Sequence, residues 1–466
     1  MSHAVRCRAS WQARVLLASM LCVPACGPFA AAGPASPFVA VGAAEPDAAA
    51  PFADAARPLA LAEAERLLVQ SSPQMQAARL ALEAARADVV TALEAPNPQF
   101  SWNSTMMNFH DGLGAGAPWD KRVDSVFRID QQIERGGKRE LRGKAAMKGE
   151  AAARADVEEA LRTSTLAVDN AYYDLKTAQE ALQIASDLAS LQRQSLEVAR
   201  LRFGAGAASD VDVARLQVEL ARAEADLADA TTAKRAAQIA LAQLVGLPSD
   251  RARFEASDEW PAVTAGYSAE GAVNQRPDVR AAHERLDRAE ASIALARAQL
   301  THDVTVGAQY ERFPQPDVGP NTWGVGFSIP IFLRNRFEGE IARAGTDRRL
   351  AEQQLRQTQL AAQADRELAT AQLEGAVQRV RKFQEEVVTQ ARKAADAEEY
   401  AYSRGSLALT DLLDARRSLQ AVLLDTLNAR ATYAKALAAW KAATSVGAAG
   451  PAGLAITTGT GGAATH

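Results

Sequence analysis

The chain is written twice, and that repetition limits its fold more than any other feature. Ser72-Pro73-Gln74-Met75-Gln76-Ala77-Ala78 returns as Arg276-Pro277-Asp278-Val279-Arg280-Ala281-Ala282, a shift of 204 positions. Farther along, Phe203-Gly204-Ala205-Gly206 returns as Tyr402-Ser403-Arg404-Gly405 at a shift of 199, and Asp212 then falls on Asp411. The parts keep the same order in both halves, so the fold is built from one unit used twice.

Each unit opens with a helix, predicted from about Pro73 to Leu93 and from about Pro277 to Leu300. Two alternating segments follow. In the first unit Phe100, Trp102 and Met106 alternate with Ser101, Asn103 and Thr105; beyond a Gly-rich loop, Val123, Phe127 and Ile129 alternate with Asp124, Arg128 and Asp130. In the second, Val304, Val306, Ala308 and Tyr310 oppose Asp303, Thr305, Gln309 and Glu311, and then Trp323, Val325, Phe327, Ile329 and Ile331 oppose Thr322, Gly324, Gly326 and Ser328. Period two at this length fits strands that cross an outer membrane, apolar side to lipid and polar side to water. A half-buried soluble sheet gives the same alternation. Against it stand an export signal, the isolation of the two hairpins, and the lack of any other strand pattern from which to build a second sheet. Four strands cannot close a barrel, and open edges are not tolerated in lipid, so several chains must share one.

After each hairpin the period becomes helical. A seven-residue series runs Val168, Leu175, Leu182, Ala189, Leu196, Phe203. Its partner carries Val213, Leu220 and Leu227 beside Leu216, Ala223, Ala230, Ala237 and Leu244, and the second unit keeps the spacing at Leu412, Leu419, Thr426, Tyr433 and Trp440. Sustained heptads with many alanines predict coiled-coil packing at close range. The helices from about Gly137 to Phe203 and from about Asn335 to Arg404 would each reach roughly 100 Å at ~1.5 Å per residue. Glycines at 204, 206 and 405 turn them back, since Gly accepts the backbone of a tight reversal. The fold class is therefore mainly α with a transmembrane β-barrel portion. The predicted organisation is a signal peptide (1–26), an Ala/Pro-rich linker (27–58), a first repeat (59–246), a connection (247–268), a second repeat (269–446) and a disordered tail (447–466).

Arg6, Arg8 and Arg14 precede the apolar run from Val15 to Ala25, the pattern of an export signal too short to be kept as a membrane span. All three cysteines, Cys7, Cys22 and Cys26, lie in it, so no internal disulfide supports the mature chain. Val23-Pro24-Ala25-Cys26 resembles a lipoprotein processing box and makes Cys26 a lipidation candidate, while Ala30-Ala31-Ala32 offers an ordinary cleavage site. Removing the signal's arginines takes the formal charge from −4 to −7, which argues against a nucleic-acid partner.

Pro96-Asn97-Pro98 enters the first strand and Gly136-Gly137-Lys138-Arg139 leaves the first hairpin. Arg202-Phe203 with Gly206, and Thr410-Asp411-Leu412-Leu413-Asp414-Ala415, mark the two turns. In this order and duplicated, these motifs resemble the TolC-like outer-membrane factor family from Leu59 to about Val446. The resemblance implies a homotrimer with a twelve-stranded barrel seated in outer-membrane lipid, continued by a helical tunnel through the periplasm. It also implies docking to a periplasmic adaptor (membrane fusion protein) and an inner-membrane RND pump. Ile329-Pro330-Ile331-Phe332, Arg334-Asn335 and Glu338-Gly339-Glu340-Ile341-Ala342-Arg343-Ala344 are similar to the CzcC-like heavy-metal branch, implying export of cobalt, zinc or cadmium; multidrug efflux and type I protein secretion are the alternatives. A periplasmic adaptor or a poreless coiled-coil scaffold are competing readings.

By that resemblance Asp411 and Asp414 form the periplasmic constriction. Spaced three apart, they share one helical face near a helix start, where acids also simply complement the helix dipole, worth ~0.3 to 1 kcal/mol each. Arg202, Phe203, Gly206, Ser209, Tyr402, Arg404, Gly405 and Ser406 would form the tips that meet the adaptor, or serve only as caps and reversals. Arg135-Gly136-Gly137-Lys138-Arg139 reads as a strand-to-helix corner with its cations near lipid headgroups, matched by Arg334-Asn335-Arg336. His110, His283 and His302 are scattered without ligand spacing, and Met106, Met107, His110 and Asp111 read as a strand end, so no metal site and no cofactor are expected. No nucleophile with a base and no phosphate loop is present, so the chain is not read as an enzyme.

Overall fold

The computed structural model describes residues 57–105, 124–206, 208–264, 273–313, 321–404 and 406–444. The signal with Cys26, most of the linker, the cluster from Met106 to Asp111, Gly405 and the tail lie outside these residues.

The same order of elements occurs twice. In the first unit α2 (Pro73–Leu93) leads into β2 (Gln99–Thr105) and β3 (Asp124–Ile133), then α3 (Lys138–Gly204) and α4 (Asp210–Leu244). In the second, α5 (Pro277–Ala298) leads into β5 (Val304–Arg312) and β6 (Thr322–Ser328), then α6 (Glu338–Lys382), α7 (Val388–Ser403) and α8 (Leu409–Thr444). Proline opens both α2 and α5 at the first helical position, where its missing N–H costs nothing and its fixed φ suits a helix. The α3 helix is continuous over 67 residues. Its counterpart departs from the expected single run: a π-helical turn, Phe383–Val387, separates α6 from α7, a bulge that helical periodicity in sequence does not disclose.

The two hairpins join into one antiparallel sheet of order β2-β3-β5-β6, leaving β2 and β6 as its edges. The sheet ends earlier than the alternation predicts. β6 stops at Ser328, and Ile329 and Ile331 leave the ladder around Pro330, which cannot donate a ladder hydrogen bond.

A small second sheet is also present, against expectation: β1 (Arg57–Leu59) pairs in parallel with β4 (Phe254–Ala256). It is followed by α1 (Leu61–Ser71). This pair seats the segments flanking the first unit onto a core of Leu59, Leu68, Met75, Val168, Tyr172, Leu175, Leu241 and Phe254. The Tyr172 hydroxyl donates to the Leu59 carbonyl at 3.1 Å and accepts from the Asp258 N–H at 3.1 Å, so this deep polar atom is satisfied on both sides. A second core joins α6 and α8 through Leu373, Val380, Ala429 and Tyr433. Among the described residues no helix is long and apolar enough to cross a membrane.

Candidate functional site

The sheet has two chemically different faces. Register places Phe100, Ile129, Ala308 and Val325 in one cross-strand row and Trp102, Phe127, Tyr310 and Trp323 in the next. Within the second row Trp102 stacks on Phe127 at 6.2 Å, and Tyr310 meets Trp323 at 4.8 Å. This face is uncovered: Trp323, Val325 and Phe327 are 80%, 90% and 76% exposed. So much contiguous apolar surface in water would be costly at ~25 cal/mol per Å², and the aromatic row has the amphipathic chemistry of a membrane interface. On the opposite face Arg128 of β3 is bonded to Asp130 on its own strand at 2.7 Å and to Gln309 of β5 at 3.1 Å. It occupies space left by Gly307, where an added Cβ would sit 2.7 Å from the guanidinium and 2.2 Å from Asp130.

The strand-to-helix corners differ from expectation in one respect. Lys138 is buried and bonds Asp303 at 2.8 Å, with the Arg135 N–H on the same oxygen at 3.0 Å. That cation is therefore consumed inside the corner and does not face headgroups. Gly137 enters α3 with φ +68°, and Phe337 enters α6 at the corresponding place with φ +56°, a conformation L-residues adopt at a cost. An Asn335 side-chain carbonyl accepting from the Phe337 N–H at 2.9 Å and a perpendicular contact with Phe332 at 5.0 Å hold it there.

At the far end of the helices, Gly206 turns with φ +71°, and the Ser209 hydroxyl accepts from the Val211 N–H at 3.2 Å to cap α4. The second reversal is closed by the Ser406 N–H on the Ala401 carbonyl at 3.0 Å, while the Arg404 guanidinium lies over the Tyr400 ring at 5.3 Å. Leu196, Ala199, Val213, Leu216, Leu409 and Leu413 pack the two hairpins together, with Tyr402 against them. The heptad seam stops there: Phe203, its last predicted member, is exposed, because the chain turns one residue later and brings no partner over it. A groove of about 660 Å³ between the hairpins is lined by Arg202, Asp212, Tyr402, Thr410 and Arg416.

Asp411 lies in the first turn of α8 and Asp414 one turn on, both exposed. Asp414 pairs with Arg417 at 2.9 Å, and Arg417 reaches Glu219 of α4 at 2.5 Å. The Glu219 hydrogen bond holds Arg417 above its ordinary value. Next to it, Arg416 donates to the Ser195 hydroxyl of α3 at 2.9 Å and to Glu399 of α7 at 3.1 Å. These two consecutive arginines tie the acid-bearing helix to three others, a linkage absent from the sequence reading. The Asp414/Arg417 spacing was a signal for part of it.

His283, Glu284 and Asp287 do come together, with ligand atoms within 4.8 Å of one another, although the sequence reading placed no ligand set there. Lys148 already occupies the position a cation would take, 2.6 Å from Asp287 and 3.1 Å from Glu284. His302 stacks on Phe332 at 4.2 Å.

A family model described as outer membrane efflux protein matches residues 64–247 and 269–445. Similar proteins include the cobalt-zinc-cadmium resistance protein CzcC of Cupriavidus metallidurans, 27% identical over 297 residues, which span 63% of this chain and 71% of that one. The pyoverdine export outer membrane protein OpmQ of Pseudomonas putida is 28% identical over 364 residues, 74% of this chain and 76% of its own. The crystal structure of the outer membrane protein VceC from Vibrio cholerae superposes with a TM-score of 0.67 at 22% identity, covering 82% of this chain and 95% of that one.

Proposed function

Because this chain belongs to the outer membrane efflux protein family, whose members are transport channels and not enzymes, we propose that it is the exit duct of an RND-type tripartite system exporting divalent heavy-metal cations such as cobalt, zinc or cadmium. The observation that carries the reading is the four-stranded sheet, apolar and exposed on one face, polar on the other, with edges at β2 and β6 that are unpaired among the described residues. Such a sheet is stable in lipid only when its edges are joined. Three copies supply twelve strands from the four in each chain, and their long helices continue the duct through the periplasm.

At the far end the tips bearing Arg202, Phe203, Gly206, Ser209, Tyr402, Arg404, Gly405 and Ser406 meet a periplasmic adaptor, which links the duct to an inner-membrane RND pump. Asp411 and Asp414 form the constriction. Threefold symmetry would gather their carboxylates into a ring, which concentrates cations and repels itself unless hydrated or paired; Arg417 supplies part of that pairing. The metal cargo is supported by likeness to a cobalt-zinc-cadmium resistance protein and by the cation-attracting ring. A second reading, export of a pyoverdine-like organic chelator, is favoured by the longer alignment with the pyoverdine export protein.

The experiment is a deletion strain complemented with this chain. Restored growth on cobalt, zinc or cadmium supports the metal reading. Metal tolerance that stays unrestored while pyoverdine export is restored would replace it with the second.

A further inference from the structure

The four helices that join the sheet follow its strand order. α2 lies against α3, α3 against α5 and α5 against α6, so α2 and α6 end this row as β2 and β6 end the sheet. Each end helix buries one side, α2 through Met75 and Leu82 and α6 through Ala351, Ala362 and Ala369. Farther from the sheet, α8 covers α6 at Leu373 and Val380. Each end helix also carries a second stripe that stays exposed. On α2 it is Ala77, Leu80, Ala84, Ala87 and Thr91; on α6 it is Leu350, Gln353, Gln357, Leu360 and Ala364. Leu80 is 63% and Leu360 68% exposed, and none of the ten is charged. A surface helix ordinarily turns its charges toward water. Both stripes instead advance by three, seven, ten and fourteen residues, the a/d spacing of a coiled-coil seam, and their alanines leave room for a partner helix to come close. Bordering charges have opposite signs: Glu83 and Asp88 beside the α2 stripe, Arg349 and Arg356 beside that of α6, all exposed. Arg349 bonds the Thr346 hydroxyl at 3.2 Å and Arg356 reaches Glu352 at 3.2 Å, both on their own helix.

We propose that the two stripes are the halves of one recognition surface between copies of this chain: the α6 stripe of each copy packs against the α2 stripe of the next. The inference rests on the three-copy reading and adds to it which helix faces meet. A second copy is the occupant that fits, because the faces match in spacing, oppose each other in bordering charge, and lie at the same two ends of the chain as the open strands. α2 runs toward the sheet and α6 away from it, so the pair is antiparallel, like its neighbours in the row. The two faces differ, so the contact is head to tail and repeats until a ring closes. Pairing α2 with α2, or α6 with α6, would set like charges against each other, which selects the unlike pairing. The helices therefore help decide which edge meets which, a choice that backbone hydrogen bonds between strand edges do not make by themselves.

The test is thiol cross-linking of the full chain in intact membranes. Leu80→Cys is combined in turn with Leu350→Cys, Gln357→Cys and Ala364→Cys, positions seven residues apart on α6, and each double variant is treated with a short bis-maleimide. All four sites are exposed, so the substitutions leave the core alone, and one linking pair suffices. At least one pair is expected to give covalent dimers and trimers several-fold above either single-cysteine variant. Leu80→Cys with Gln363→Cys, which is exposed on another side of α6, should stay at the single-cysteine level. If no pair links chains while the particle still has the mass of three, the surface is overturned and the three-copy reading stands; a monomeric particle removes both. Linking by Leu80→Cys alone, as strong as by any pair, would show α2 against α2 and also overturn the proposal.

Discussion

Arg417 links Glu219 of α4 to Asp414 of α8 with one guanidinium. Arg417→Ala leaves both acids without that cation. The Asp414 half is exposed and worth only ~0.2 to 1 kcal/mol, while Glu219 is largely covered, so thermal stability should fall modestly. The expected change is in the pore: single-channel conductance in planar bilayers should rise, and Asp411→Ala with Asp414→Ala should raise it further by removing the ring itself. Unchanged conductance in both would refute the placement of the constriction. Tyr172→Phe is the contrasting case, since it strips partners from the Leu59 carbonyl and the Asp258 N–H in the core. A loss of about 1 to 3 kcal/mol, read as a lower Tm, is expected. The shared helical face of Asp411 and Asp414 was readable in their spacing, and both lie exposed in the first two turns of α8. Glu219 was not, because it lies 198 positions from Arg417 and the register between two helices sets their meeting.

Among the elements, the corner before α3 and the corner before α6 solve one backbone problem with different residues. Gly137 takes the left-handed conformation freely, whereas Phe337 takes it with support from Asn335 and Phe332. Gly137→Ala should therefore destabilise by about 1 to 2 kcal/mol. Phe337→Gly should be close to neutral, because relieved strain offsets the lost ring contact; thermal unfolding of the pair checks both. On β6, Val325 is open on the apolar face, and Val325→Arg should cost ~2 to 4 kcal/mol if that position faces the middle of the bilayer, measured by denaturant unfolding in lipid. A negligible cost would place it elsewhere. The hairpins were legible because period two over a whole strand is hard to imitate. The β1 and β4 strands, three residues each, are too short to show a period, and the π turn at Phe383–Val387 preserves the helical pattern around it. Ile329 and Ile331 continued the alternation, and Pro330 ended the strand despite it.

For the molecule as a whole, duplication explains why two hairpins can form one sheet and two helical hairpins can pack tip to tip. It also explains why, among the described residues, neither sheet edge is paired: β2 begins the sheet and β6 ends it. In the proposed function, other copies join the edges left open among the described residues and lipid covers the apolar face. The most direct test is the mass of the mature protein purified from membranes in detergent, by light scattering with the micelle subtracted. A particle of three chains that forms ion-conducting pores in planar bilayers is predicted. A single chain that stays monomeric and soluble without detergent would contradict the account.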